Sequence, residues 1–433
     1  MKKFLICVLA LCLAFSIVSC QSEESVTETT GTTEIAPEES GTEETTVNKN
    51  DQNKNQLDCA DFINYRASLA NTYKKLTEDK KLNVVYFGGS VTAGHGATVP
   101  DSYSWRALIG KWLKTEFPYA QINNINRALG ESGTYLGAHR VQMDVISAQP
   151  DLLFIEYSIN DYYYKSTYEQ AASQYETIIR EVKTALPDTD IVTVLVTEKN
   201  FLMTNVNGKL HTQAQAHEDI AKAYNIPTIH AGRYLAATSK FIWSKYAIDG
   251  VHLNDTGYAV YYEVIREFMH TNLLETDYTK PQEKFIMADM VSDTLFDGNR
   301  TYTLPSQSLL EQSGTLGGTG VTVSANDSSF GNGLISTAKG QFIFDSTNDV
   351  LAIKFNGTEI AAYVLQKKVS WMVSVDGGEY TEVAGSNHNP VIFAQGLDSG
   401  EHTLKIKLKA ESTVKVGAIF TRDATLATKK AAN

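Results

Sequence analysis

Short apolar runs alternate with amphipathic stretches from Leu82 to Leu274, and this alternation narrows the folds that the chain can adopt. Runs rich in Val, Ile and Leu predict strands at Asn83–Phe87, Gln121–Asn126, Asp151–Tyr157, Asp190–Thr197 and, more weakly, Ile226–Ile229. Helical patterns cover Ser102–Phe117, Tyr135–Ala148, Tyr168–Leu186, Thr212–Tyr224 and Thr256–Asn272. Strands buried on both faces and joined by helices indicate a doubly wound parallel sheet of the α/β class. Such sheets bind ligands at the carboxyl ends of their strands.

The chain changes character after about Glu275, where helical periodicity gives way to short strand-like runs between Gly, Asn, Asp and Ser turns. The runs are Ile343–Phe344, Leu351–Phe355, Ile360–Leu365, Val369–Val375, Val391–Ala394, Thr403–Leu408 and Val414–Phe420. Short strands at this spacing predict an antiparallel sandwich, of jelly-roll type. We therefore expect an α/β domain over residues 57–275 and an all-β accessory domain over residues 276–425.

The N-terminal sequence predicts an export signal. Lys2 and Lys3 precede an apolar run that stops at Ser19-Cys20, and this run is too short for a comfortable transmembrane helix. Residues 1–19 are predicted to be a signal peptide. The segment Ile17-Val18-Ser19-Cys20 resembles the lipobox of bacterial lipoproteins, which implies a lipid on Cys20 and a position at the cell surface, facing outside the cytoplasm. Ordinary cleavage beside an incidental Cys is the alternative.

Residues 20–56 are predicted to be a disordered tether, because Thr, Glu, Ser and Asn dominate and few apolar residues are present to form a core. Residues 21–50 hold eight Glu and one Lys, a net charge of −7, against a formal charge of −12 for the whole chain. An acidic chain of this kind is unsuited to nucleic acid. Apart from the signal and Cys20, only Cys59 remains, which excludes an intrachain disulfide and a Cys-based zinc site. We expect Cys59 to be a buried small residue.

A glycine-rich turn follows the first predicted strand and presents a serine. Gly88-Gly89-Ser90 would leave the hydroxyl and backbone N–H of Ser90 at the edge of the sheet. The spacing fits neither a Walker loop nor a dinucleotide fingerprint, and Thr92 stands where the α/β-hydrolase elbow has Gly. Taken alone, the turn fits a nucleophile and a phosphate cradle equally well.

Two further patterns follow other strands. Asp249 and His252 precede the last predicted helix, and such a pair can activate a serine because the carboxylate fixes the imidazole tautomer. A turn Asp and a helix-flanking His are the alternative. Asn160, beside Asp161 after the third strand, has an amide that can donate to an oxyanion. A turn or a helix cap is the alternative there.

Taken together and in this order, these residues resemble the SGNH/GDSL hydrolases, in particular the branch with a Gly-Gly-Ser-x-Thr first block. The resemblance covers about Leu82 to Phe268. It implies that Ser90 is the nucleophile and that Asp249 and His252 form its base. It also implies an oxyanion hole formed by the Ser90 N–H, an N–H of Gly130 or Glu131, and the Asn160 amide. The chain departs from the family pattern at Ser158, where Gly is usual, and at Glu131, where Gly is frequent.

The resemblance implies a serine esterase that works through an acyl-enzyme and needs no metal or organic cofactor. Surface anchoring and an accessory sandwich suggest acetyl esters of a polysaccharide or oligosaccharide as substrate, and contact with the membrane only through the N-terminal lipid. A surface O-acyltransferase and a non-catalytic carbohydrate-binding lipoprotein are the alternatives. Tyr162-Tyr163-Tyr164 directly follows the Asn160 block, and these three rings either stack on a sugar or serve packing.

Overall fold

The computed structural model describes residues 57–240, 242–303, 322–325 and 340–431. The predicted signal peptide, Cys20 and the predicted tether lie outside these residues. The described residues belong to one compact unit, Gln56–Asn433. Within the described residues, no helix combines the length and the apolar character needed to cross a bilayer.

The first part of this unit is an α/β domain. Its strands are β1 Ile63–Asn64, β2 Lys81–Gly88, β3 Gln121–Asn126, β4 Leu152–Glu156, β5 Asp190–Val194 and β6 Thr228–Ile229. Its α-helices are α1 Ala70–Lys74, α2 Ser90–Ala93, α3 Pro100–Tyr103, α4 Trp105–Glu116, α5 Thr134–Arg140, α6 Ser158–Tyr163, α7 Tyr168–Ala185, α8 Leu202–Val206, α9 Thr212–Ala223, α10 Ala231–Ser239 and α11 Asp255–His270. Shorter 3₁₀ turns lie at Cys59–Phe62, Ile146–Ala148, Lys199–Phe201 and Trp243–Lys245, and π turns at Lys75–Asp79, Val141–Val145 and Thr271–Glu275.

The strands of this domain form one sheet in the order β1-β6-β5-β4-β2-β3. The strands β2 to β6 run parallel, and β1 pairs antiparallel with β6 at the edge. The chain leaves β2 for β3 on one side and returns to β4 on the other. This reversal of winding is the point where a doubly wound sheet opens a crevice at its carboxyl edge. The predicted fold class is confirmed for this domain.

Strand β2 shows why the sheet is covered on both faces. Val84 and Tyr86 belong to one apolar core, and Val85 and Phe87 belong to a second core on the opposite face. Successive strand residues point to opposite faces, so a continuous apolar run fills both cores at once. The helices accordingly lie in two layers.

Two helices differ from the prediction. The stretch predicted at Ser102–Phe117 is divided into α3 and α4, because Ser104 leaves helical geometry and its hydroxyl accepts a hydrogen bond from Ala107 N at 3.4 Å. The stretch predicted at Tyr135–Ala148 is α-helical only as far as Arg140 and continues as a π turn and a 3₁₀ turn. The sequence patterns did not predict the strand β1 or the helices α1, α2, α6, α8 and α10. Cys59 lies in a 3₁₀ turn and is half-buried rather than buried.

The second part is an all-β domain. Its strands are β7 Asn299–Thr303, β8 Thr322–Ala325, β9 Gly340–Phe344, β10 Leu351–Asn356, β11 Glu359–Val364, β12 Trp371–Val375, β13 Thr381–Val383, β14 Val391–Gln395, β15 Glu401–Leu408 and β16 Val414–Arg422. A 3₁₀ turn follows at Ala424–Leu426. Of these strands, β7, β8 and β13 were not predicted.

Two antiparallel sheets form this domain in the described residues. One has the order β10-β15-β12-β13 and the other β14-β11-β16-β9-β8, with β7 paired to the second half of β16. Leu351, Ile353 and Phe355 alternate inward along β10. Trp371 is fully buried in the same core between Phe344 and Phe393, with ring centroids 5.0 and 5.3 Å apart. The predicted sandwich is confirmed, and Trp371 serves its packing.

The chain between the two domains remains attached to the α/β domain after Glu275. The amides of Val291 and Ser292 donate to the carboxylate of Glu176 at 2.8 and 2.7 Å, and the amide of Phe296 donates to Thr177 Oγ1 at 2.8 Å. Only then does β7 enter the second sheet. The boundary predicted at residues 275 and 276 stays a prediction.

An apolar contact joins the domains directly. Leu129 and Leu136, on either side of the start of α5, pack in one cluster against residues of β11 and β16, namely Ala361, Tyr363, Ala418 and Phe420. The inner face of each sheet of the sandwich is already used by its own core, so this contact uses the outer face of the β11–β16 pair.

Candidate active site

The turn after β2 places Ser90 at the first position of α2, with Gly89 as the preceding cap. Its two glycines permit close approaches that a side chain would prevent. A Cβ on Gly88 would lie 2.5 Å from the carbonyl oxygen of Glu156, and a Cβ on Gly89 would lie 2.8 Å from Asn160 Oδ1. The absence of side chains therefore lets the ends of β2 and β4 meet, which brings Ser90 beside Asn160.

The structure brings together Ser90, His252 and Asp249. Ser90 Oγ lies 2.9 Å from His252 Nε2, and His252 Nδ1 lies 2.8 Å from Asp249 Oδ2. A carboxylate on Nδ1 holds the proton on that nitrogen, so the lone pair of Nε2 is free to accept the hydrogen bond of the Ser90 hydroxyl. These are the contacts that the sequence patterns required.

The base turn, as we call residues Asp249–His252, is closed by its own hydrogen bonds. Asp249 Oδ1 accepts from the amides of Val251 and His252 at 2.8 and 2.7 Å. Burial alone raises the pKa of Asp249, but hydrogen bonds from His252 and Val251 outweigh it and hold the pKa below its usual range. The carboxylate therefore stays charged beside the imidazole.

The residues expected to form an oxyanion hole surround Ser90. The N–H of Ser90 lies at the start of α2, and Asn160 lies within α6 with its side chain against Gly89. Gly130 faces the serine, since a Cβ built on it would lie 3.8 Å from Ser90 Cβ. The side chain of Glu131 instead leads away and pairs with Lys367 of the β domain.

The segment Leu129–Gly133, here the oxyanion segment, is fixed to β2 and to α6. Leu129 N donates to the carbonyl of Gly88 at 2.9 Å, and Ser132 Oγ donates to the carbonyl of Leu129 at 2.6 Å. Glu131 adopts a left-handed backbone with φ of 56°. For a residue with a side chain this conformation costs about 1 kcal/mol, so surrounding contacts must hold it.

Asp161 braces this region in a way that the sequence analysis missed. Its buried carboxylate accepts hydrogen bonds from Thr134 N at 2.7 Å, Thr134 Oγ1 at 2.8 Å and His217 Nε2 at 2.9 Å. A Cβ on Gly133 would lie 2.3 Å from this carboxylate. The Asn160-Asp161 pair was a possible signal, because one residue of the pair faces the serine while the next ties α6 to α5 and α9.

Glu156 is a second buried carboxyl behind the serine. It ends β4, and its Oε2 accepts a hydrogen bond from Thr92 Oγ1 at 2.8 Å. Burial raises the pKa of Glu156 to about 7, against the opposing hydrogen bond from Thr92. Ser158, two residues further on, is fully buried at the start of α6, so the small residue that replaces the usual Gly fits there.

Three aromatic side chains line the surroundings of the triad. The ring of His95 packs edge-on against the ring of His252, with centroids 4.3 Å apart. Tyr162 and Tyr163 are 36% and 40% exposed on α6. Tyr164 instead turns to the β domain, where its hydroxyl donates to the carbonyl of Asn389 at 2.9 Å. Two of the three consecutive tyrosines are therefore available to a ligand beside Asn160.

A cavity of about 780 Å³ lies where α7 meets the β domain. Tyr168, Phe296, Glu359 and Arg422 are among its lining residues, and Ser90, Asp249 and His252 are not. It is distinct from the serine site. In the part of the chain that the structure describes, no group of three His, Cys, Asp or Glu side chains is arranged to hold a metal ion.

A serine hydroxyl that contacts a His–Asp pair at the carboxyl edge of a doubly wound sheet is the arrangement that serine hydrolases use. Residues 86–260 match the GDSL-like Lipase/Acylhydrolase family. The matched residues lie within the α/β domain, which is therefore similar to that family, and the protein is a carboxylic ester hydrolase.

The whole two-domain arrangement is similar to a known structure. A two-domain esterase (CEX) active on acetylated mannans matches with a TM-score of 0.67 and 20% identity, over 85% of this chain and 99% of the other. The same esterase co-crystallised with mannopentaose matches with a TM-score of 0.64 and 19% identity, over 87% and 100%. At this identity the likeness shows a shared fold. No curated protein sequence matches this chain.

Proposed function

We propose that this protein is an extracellular serine esterase that removes acetyl groups from carbohydrate through an acyl-enzyme. The observation that carries the proposal is the unbroken series of contacts from Ser90 Oγ through the His252 ring to the Asp249 carboxylate, at 2.9 and 2.8 Å. A serine hydroxyl is a weak nucleophile at neutral pH until a neighbouring base takes its proton.

The proposed reaction has two halves. His252 Nε2 takes the proton of Ser90 as its Oγ attacks the ester carbonyl, and the negative oxygen is held by the Ser90 N–H, an N–H of Gly130 or Glu131, and the Asn160 amide. His252 then gives the proton to the departing alcohol, leaving acyl-Ser90. Water attacks this ester, His252 takes the proton of the water, and acetate leaves as Ser90 regains its hydrogen.

The exposure of the site is suited to an ester substrate whose alcohol part is a large molecule. The side chain of His252 is 22% exposed and that of Asp249 is 48% exposed, so the triad opens directly to solvent. Such a site admits an acetyl group carried on the surface of a polymer. Tyr162 and Tyr163, half-exposed beside Asn160, offer ring faces on which a sugar can stack. The activity of the similar two-domain esterase on acetylated mannans supports the same substrate class.

The proposed location rests on the N-terminal sequence. The Ile17-Val18-Ser19-Cys20 segment favours lipid on Cys20 and display outside the cytoplasm. Labelling cells with a palmitate analogue tests this: a Cys20→Ser variant is expected to lose the label and to leave the membrane fraction. Retained label on the variant would rule out Cys20 as the lipid site.

The catalytic proposal is tested with purified residues 57–433 and nitrophenyl acetate. We expect Ser90→Ala to lower kcat by roughly 10⁴- to 10⁶-fold, because the nucleophile is lost while binding groups remain. Ser147→Ala, an exposed serine far from the site, is the matched control. Equal rates for wild type and Ser90→Ala would refute the assignment.

Substrate class is tested by acetate release from acetylated mannan, xylan and cell-wall polysaccharides. Release from none of them, with continued turnover of nitrophenyl acetate, would rule out the carbohydrate part of the proposal. Adding excess sugar acceptor distinguishes hydrolysis from transfer, since an acyltransferase would yield acylated sugar in place of acetate.

A further inference from the structure

Two parts of the β domain contact the oxyanion segment beside Ser90. The first is the turn between β11 and β12, whose Lys367 pairs through its Nζ with Glu131 Oε2. The side chain of Lys367 is only 14% exposed, so its stem lies against the protein and its head is directed at Glu131. The second is the carbonyl of Asn389, which reaches the segment through Tyr164.

The hydroxyl of Tyr164 links the two domains, because this single O–H group contacts an acceptor in each of them. It lies within hydrogen-bond distance of two carbonyl oxygens, that of Glu131 in the oxyanion segment and that of Asn389 in the β domain. Burial raises the pKa of Tyr164, so the hydroxyl keeps its proton and remains a donor. The ring is also held edge-on against His388, with centroids 4.6 Å apart.

The part of the β domain that makes these contacts is itself fixed. Asn389 is buried, and its side chain accepts from the amide of Val364 and donates to the carbonyl of Val364, both at 2.9 Å. The turn of Lys367 is tied by Ser386 N, which donates to the carbonyl of Lys367 at 2.8 Å. Both anchors are therefore attached to the end of β11.

Glu131 needs such anchors because of its backbone. Its φ of 56° is unfavourable for a residue with a side chain, and both its carbonyl and its carboxylate are held from outside the segment. Gly130 precedes it directly and faces Ser90. A relaxation of Glu131 toward ordinary φ values would rotate the peptide between Gly130 and Glu131, which carries the Glu131 N–H, and would disturb the donors of this pair.

We infer that the β domain is part of the catalytic apparatus, with Lys367 and Tyr164 acting as positioning residues that hold Glu131 and thereby aim the donor N–H of the Gly130–Glu131 pair at the oxyanion. The inference rests on the proposed function, since it assigns a task to the oxyanion segment. Neither residue touches substrate in this assignment, and both act through Glu131.

The first test compares two neighbouring lysines in residues 57–433. We expect Lys367→Met to lower kcat for nitrophenyl acetate by roughly three- to tenfold with KM unchanged, because a displaced donor loses part of the stabilisation that a full deletion would remove. Lys367→Arg is expected to keep most of the activity. Lys368→Met, exposed on the same turn, is the matched control. The melting temperature is expected to change little, because a partly exposed ion pair contributes little to stability.

A second variant separates positioning from general damage. Glycine adopts positive φ freely, so Glu131→Gly needs no external support. In that background, Lys367→Met is expected to have no further effect on kcat. Tyr164→Phe, which removes the shared proton, is expected to lower kcat in the wild-type background more than Lys367→Met does.

Hydrogen–deuterium exchange provides a readout that does not depend on turnover. Lys367→Met is expected to speed exchange of the amides of residues 129–133, and Lys368→Met is not. Unchanged exchange, a rise in KM alone, or equal losses in both lysine variants would overturn the inference. If the wild type shows no Ser90-dependent turnover, the proposed function is refuted instead. The exchange experiment distinguishes this outcome from failure of the inference, because it does not require turnover.

Discussion

The base turn is closed by hydrogen bonds between its own residues and supported from within the α/β domain by Trp243 and Lys199, whereas the oxyanion segment is also contacted by a domain that begins more than a hundred residues later. In the base turn, Asp249 receives the amides of Val251 and His252, and Trp243 Nε1 donates to the carbonyl of Asp249 at 2.5 Å. The segment on the other side of Ser90 is contacted by Tyr164 and Lys367, 33 and 236 residues away from Glu131. The two halves of one site therefore have different sensitivities to distant change.

The base and the oxyanion hole can therefore be impaired separately. A change in the β domain leaves the hydrogen bonds of Asp249 and His252 intact, so the nucleophile stays activated while the transition state is less well held.

The largest effect is expected from Asp249→Asn in the base turn. We expect kcat for nitrophenyl acetate to fall about 10³- to 10⁴-fold, because an amide on Nδ1 no longer fixes the imidazole tautomer or stabilises the imidazolium. Exchange of the oxyanion segment is expected to stay at the wild-type rate. Asp188→Asn, which changes an exposed residue in a distant loop, is the control. Faster exchange at residues 129–133 in Asp249→Asn would contradict the independence of the base turn and the oxyanion segment.

A smaller loss of rate is expected from Asn160→Ala. The amide is expected to donate to the oxyanion, and its loss lowers kcat by roughly 10²- to 10³-fold with little change in KM. Steady-state kinetics measure this split, with the exposed Asn207→Ala as control. Full activity of Asn160→Ala would remove this residue from the oxyanion hole and assign the stabilisation to backbone donors alone.

The smallest effect is expected on stability, from Glu156→Gln beneath Ser90. Burial raises the pKa of Glu156 in the folded protein to about 7, above its unfolded value, so the folded state binds more protons. Folding stability is then lost as the pH rises through this range. Relative to wild type, Glu156→Gln is expected to gain up to about 3 kcal/mol of unfolding free energy between pH 4.5 and pH 8.

Urea unfolding of wild type and Glu156→Gln across this pH range measures the difference. Asp190 also has a pKa raised by burial, to about 7, but it is present in both proteins and its contribution cancels. A difference in unfolding free energy that does not vary with pH would contradict the assignment of the titration to Glu156.

The sequence was sufficient to predict those parts of the fold and the site whose contacts join residues close together in the chain. The Ser90 turn and the base turn each consist of a few neighbouring residues, and the strands β2, β4 and β5 coincide with apolar runs because both faces of the sheet are covered there. The base turn even closes with hydrogen bonds between residues two and three apart. Patterns of this range are readable without a structure.

The rest depends on distant partners. The role of Asp161 depends on His217, 56 residues further along, and the partner of the Glu131 carboxylate is Lys367, 236 residues away. The edge strand β1 has two residues, too few for an apolar pattern. The helix after Gly133 widens into a π turn at Val141, where buried Arg140 and Asp144 form an ion pair at 2.8 Å that the helical pattern does not reveal.

The attachment of Val291 and Ser292 to Glu176 shows that a change from helices to strands in the sequence is not the place where the molecule can be divided. A protein shortened to end at residue 275 would lose its all-β domain. It would also lose two of the hydrogen-bond donors to the fully buried carboxylate of Glu176 on α7. Inactivity of such a fragment would therefore report damage to the hydrolase fold as much as the loss of the accessory sheets. Single substitutions at the contact between the two domains are a better way to measure what each domain contributes to activity.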